Sequence, residues 1–143
     1  MKKLYLILLI FGTSNLIVAQ DNVDVNEMIG FACYAEGKSS KVVKKVTKKI
    51  ERNRFKPISR LLKSDNNAER YMAVITLERL NELKRYNLNI KEKELIRIIK
   101  SSEQLVSVCS GCVNFKKTSL KELFKPEFIG FSKHWLDYYI KMN

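Results

Sequence analysis

One stretch of this chain repeats itself at an offset of 37 residues. Ile58-Ser59-Arg60-Leu61-Leu62-Lys63-Ser64 reads against Leu95-Ile96-Arg97-Ile98-Ile99-Lys100-Ser101, and every apolar position is matched except that Ser59 faces Ile96. Each copy is followed by polar residues and a further apolar segment. A unit of this size with two helices is the mark of stacked helical hairpins, in which each hairpin buries its apolar face on the next. The rest of the chain agrees. Apolar residues recur at three and four, and only five glycines and two prolines interrupt 143 residues. The expected fold is therefore all-α, a short stack of antiparallel helix pairs.

Six helices are predicted, and residues 90 to about 113 are further expected to repeat the two antiparallel helices of residues 57 to 84. Asp24 caps the first, with Met28, Ile29, Ala32 and Cys33 inward and Gly37 at its end. Ser39 or Ser40 caps the second, whose Val42, Val43, Val46 and Ile50 share one face. Pro57 suits the first turn of the third, with Ile58, Leu61 and Leu62 inward. Asn66 and Glu69 form a capping pair for the fourth, which carries Tyr71, Val74, Ile75, Leu80 and Leu83 and ends near Asn87. The fifth runs from about Lys91 to Lys100 with Leu95, Ile98 and Ile99. The sixth follows Pro126 and carries Phe128, Phe131, Trp135, Tyr138 and Tyr139.

Pro57, Leu61, Leu62, Asp65, Arg70, Ala73, Leu77 and Leu80 together resemble one repeat of the HEAT/armadillo class. In that class a leucine-rich helix and an Asp turn lead into a helix opening with Arg and Ala. Asp65 and Arg70 stand one residue closer than is usual there, and the second copy has Ser107 in place of the Arg. The resemblance implies an α-α stack that works by binding, and it carries over no catalytic residue.

The chain opens with Lys2 and Lys3, an apolar run from Leu4 to Phe11, a polar break at Gly12 to Asn15, and Leu16-Ile17-Val18-Ala19. This is the pattern of a cleavable signal peptide, residues 1–19, with cleavage expected after Ala19. The run is too short to span a bilayer, which takes ~20 apolar residues. No cysteine lies near the cut, so no lipid anchor is expected. Residues 20–143 then form one helical domain, secreted or periplasmic, with no transmembrane segment.

Formal net charge is +12, and the leader holds two of the cations. The charge is concentrated. From Lys38 to Lys63 the chain carries eleven Lys and Arg and a single acid, Glu51. This segment alone accounts for the net charge of the mature chain. On the second helix Lys41, Lys44, Lys45, Lys48 and Lys49, followed by Arg52, fall opposite the apolar face. Cations three and four apart repel, so such a row calls for an advantage that offsets the repulsion. The candidate partners are an acidic protein or an anionic envelope surface. Nucleic acid is disfavoured, because no aromatics are interleaved with the lysines and the chain is exported. Exchanging Lys41, Lys45 and Lys48 for Gln is expected to leave folding almost intact.

Cys33, Cys109 and Cys112 are the cysteines, and an exported chain favours their oxidation. Leu105, Val108, Cys109 and Cys112 have the spacing of one helical face, so Cys33 is expected to bond to Cys109 or Cys112. A bond between the latter two within a helix would be strained. The competing reading is a redox Cys109-Ser110-Gly111-Cys112, which needs a preceding strand. Val113 excludes haem attachment, and zinc would need all three cysteines with His134, a set without supporting spacing.

No nucleophile elbow, zinc-protease helix or phosphate loop is present. His134 and Asp137 allow only a local contact, and Glu92 and Glu94 point to different sides of their helix. The aromatic stripe Phe128, Phe131, Trp135 and Tyr138 reads as core or lid. The expectation is a binding domain with no catalytic residue, cofactor or metal, one version being the neutralising partner of an exported toxin. The alternative is a periplasmic thiol-disulfide protein using Cys109 and Cys112.

Overall fold

A computed structural model of the chain describes residues 22–111 and 114–141. The leader and Cys112 lie outside them. The described chain is a mixed α/β fold. Its elements in order are β1 (Met28–Ile29), α1 (Lys41–Glu51), α2 (Phe55–Arg60) running into a 3-10 turn (Leu61–Lys63), and α3 (Asn67–Glu82). Then follow α4 (Ile90–Lys100), β2 (Leu105–Ser110), β3 (Asn114–Ser119), α5 (Leu120–Leu123) and α6 (Pro126–Lys141).

The all-α expectation is thus overturned by a three-stranded sheet in the order β1-β2-β3. β1 runs parallel to β2, with Met28 opposite Ser107, and β2 pairs antiparallel with β3 from Leu105–Ser119 to Ser110–Asn114. Two expected helices are lost to it. The first copy of the 37-residue unit keeps both its helices, α2 and α3. The second keeps only α4, because its other half is strand β2. Leu105-Val106-Ser107-Val108-Cys109 satisfies a helical spacing, but its β-branched residues at alternate positions suit a pleated surface equally well. Tertiary partners decide between the two. Val106 packs in the main core, and Cys109 faces a separate cluster on the other side of the sheet.

The helix expected from Asp24 to Gly37 is also absent. Its Met28 and Ile29 are β1. Cys33 and Lys38 exchange two backbone hydrogen bonds of 2.8 Å across a loop that returns through Tyr34 and Gly37, both at positive φ. The glycine foreseen as a helix stop serves here as a turn residue.

α3 is the centre of the molecule. Ala68, Leu80 and the seven residues from Tyr71 to Leu77 are all buried, so the helix is enclosed nearly all round. It touches α1, α2, α4, α6, β1 and β2. Asn66 caps it by accepting the Glu69 N–H at 3.1 Å. The helix stops at Glu82, short of Asn87. Lys84 adopts φ 58°, and Arg85 N–H closes back on the Leu80 carbonyl at 2.9 Å, a Schellman end. α4 starts at a capping box between Asn89 and Glu92 and turns Glu92, Ile96 and Ile99 inward, leaving Ile98 exposed.

Candidate functional site

α1 places the cationic row. Ser40 fixes its start. Its hydroxyl accepts the Val43 N–H at 3.4 Å and donates to the Met28 carbonyl at 2.7 Å, which joins the helix to β1. Val42, Val43, Val46 and Ile50 enter the core, and Thr47 hides its hydroxyl by donating to the Val43 carbonyl. Burial of that face locks the rotation of the helix, so the cations have one way to point. Lys41, Lys44, Lys45 and Lys48 are exposed and Lys49 is half-buried. Asn53, at φ 51°, ends the helix in a second Schellman turn, with Arg54 N–H on the Lys49 carbonyl at 2.8 Å.

That turn brings Arg54 beside Arg52. With the five lysines they line a surface concavity of about 430 Å³, all of whose lining side chains are cationic. Sequence reasoning placed six of the seven. Arg54 lies outside the helix, and only the turn at Asn53 returns it to the same face.

Two of the cations are engaged within the molecule. Lys41 Nζ donates to Asn26 Oδ1 at 2.9 Å, and Lys45 forms an ion pair with Glu69. Burial by itself would raise the Glu69 carboxyl. Hydrogen bonds from Lys45 and Ser64, with the nearby charges of Lys45 and Lys49, outweigh it and hold the group below the usual carboxylate value. Lys44, Lys48, Lys49, Arg52 and Arg54 form no salt bridge among the described residues.

The other sequence candidates are dispersed. Cys33 and Cys109 form a disulfide with their Cα atoms 5.7 Å apart, on the sheet face away from the main core. Met28, Val23 and Phe115 pack around it. His134 is exposed, and Asp137 pairs with Arg79 at 2.6 Å instead. The aromatic stripe is not core. Phe128, Phe131 and Tyr138 are exposed, while Trp135 is half-buried against Phe31. Among the described residues no cluster of three His, Cys, Asp or Glu side chains could hold a metal ion, and no helix is long and apolar enough to cross a membrane. No family model, curated protein or solved structure matches the chain.

Proposed function

We propose that this is an exported, non-catalytic binding domain whose α1 face engages an acidic protein or an anionic envelope surface. One observation carries the reading: seven cations line a single concavity, and among the described residues only Lys45 of the seven forms a salt bridge. Like charges held this close raise the energy of the free protein, and an anionic partner relieves it. The basic, apolar leader pattern supports export, and a disulfide is consistent with an oxidising compartment.

The test exchanges Lys44, Lys48 and Arg52 for Gln. Lys41 and Lys45 are spared, because they hold the N-terminal loop and α3. Stability should move by less than ~0.5 kcal/mol, as for ordinary surface changes. Affinity for poly-glutamate and for vesicles containing anionic lipid is measured at low and moderate salt. Weaker binding with a shallower salt dependence supports the reading, and the better probe tells an acidic protein from an envelope surface. Unchanged affinity and salt dependence for both probes would mean that the face serves solvation alone.

A further inference from the structure

Another concavity, of about 530 Å³, runs beneath the N-terminal half of α6. Its walls are mostly carbon. Ile29, Val108, Tyr71 and Leu123 contribute from the sheet and the helices behind it, and Phe128 and Phe131 contribute from α6. Both phenylalanines remain exposed, at 38% and 62%, although they sit at the mouth of an apolar cleft. The one hydroxyl pair at its back is self-satisfied: Tyr71 and Ser132 share a 2.7 Å hydrogen bond, and burial pushes the Tyr71 hydroxyl up to about 12. No buried polar side-chain atom of the lining lacks a hydrogen-bond partner, and Ser110 and Asn114 lie exposed at its edge.

The charge is at the edge. Lys116, on β3, holds its Nζ 5.5 Å from the centroid of the Phe128 ring and forms no salt bridge among the described residues. Glu127 is the one acid of the lining. Lys116 is the one cation of the lining, so it sets the local preference for an anion at this mouth. The volume lies within the usual range for small-ligand sites, ~300–1,000 Å³.

We propose that this cleft binds a free single-chain anionic amphiphile of the fatty-acid type, its chain under α6 and its carboxylate at Lys116. The cleft shares no lining residue with the α1 concavity. The chain displaces water from the walls, which is the driving force, and Lys116 selects the sign of the head group. Glu127 opposes the head and limits affinity.

The protein carries its own reporter. Trp135 is the single tryptophan, and its ring lies 4.9 Å from that of Phe31, which lines the cleft and also touches Phe131 at 5.7 Å. Sodium dodecanoate is titrated below its micelle concentration, followed by Trp135 fluorescence and by calorimetry. Dodecyltrimethylammonium is the cationic control. One saturable site that prefers the carboxylate is expected. Lys116→Gln should weaken it about threefold, the scale of a part-exposed ion pair. Glu127→Gln should tighten it, and Phe131→Ala should weaken both ligands. Phe131 is well exposed, so its replacement leaves the fold standing, and circular dichroism checks that. Absence of a saturable site overturns the proposal. So does equal binding of both head groups with no response to Lys116 or Glu127.

Discussion

Glu92 shows how much a single buried carboxylate can organise. It is 7% exposed, in the first turn of α4. Ser59 and Tyr86 donate their hydroxyls to Oε1, the latter at 2.6 Å, and the Asn89 N–H donates to Oε2 at 2.9 Å. Burial would raise this carboxyl, but those hydrogen bonds prevail and hold it below the ordinary value. A depressed folded-state value means that the stabilisation is complete above the unfolded value and disappears as pH falls through the folded one. Glu92→Gln should therefore cost about 1–2 kcal/mol at neutral pH, the scale of a weakened buried network. The gap from the parent protein should close below about pH 4, where an unfolded Glu also protonates. Urea unfolding at pH 7, 5 and 3 measures both. The sequence places the start of this helix at about Lys91, so its Asn89–Glu92 capping box is a finding of the structure. The burial has no local trace, because Ser59 arrives from 33 residues away.

At the scale of elements, α1 follows most directly from its residues. A polar cap, four apolar residues in one phase and cations elsewhere leave a single way to pack it. Ser40 also donates across to β1, so Ser40→Ala removes a helix cap and leaves the Met28 carbonyl without that donor. The expected loss is ~1–2 kcal/mol, toward the upper end for caps. Thermal unfolding checks it, and Ser40→Thr should recover part of the loss. β2 behaves in the opposite way. Its residues allow a helix or a strand, and the strand wins because β1 and β3 supply backbone partners that a second helical hairpin would not use. α6 lies between these cases. Its span from Pro126 follows from the sequence, but its orientation leaves Phe128, Phe131 and Tyr138 outside.

Across the whole molecule, the disulfide joins the loop after β1 to the middle of the sheet over a separation of 76 residues. Gly30 makes room for it, since a Cβ there would collide with Cys33 Sγ. A crosslink of this length should contribute about 4 kcal/mol by restricting the unfolded chain. Reduction should lower the urea midpoint accordingly. It should loosen Met28, Val23 and Phe115 first, because their cluster is built on the sulfurs while the α3 core is separate. Hydrogen exchange before and after reduction distinguishes the two regions, and uniform loosening would contradict the division. Non-reducing peptide maps would also show whether Cys112 competes for Cys109. By itself the sequence determined α1 and its cationic face, the start of α3, both helices of the first repeat copy and the span of α6. These depend on local periodicity and on caps within a few residues. Only the tertiary structure decided the sheet, the inward turn of Glu92, the addition of Arg54 to the basic face and the cleft under α6. The sheet, the burial of Glu92 and the cleft depend on partners far apart in the chain, Arg54 depends on a positive-φ turn at Asn53, and a strand's backbone bonds leave no periodic trace that a short helical spacing cannot imitate.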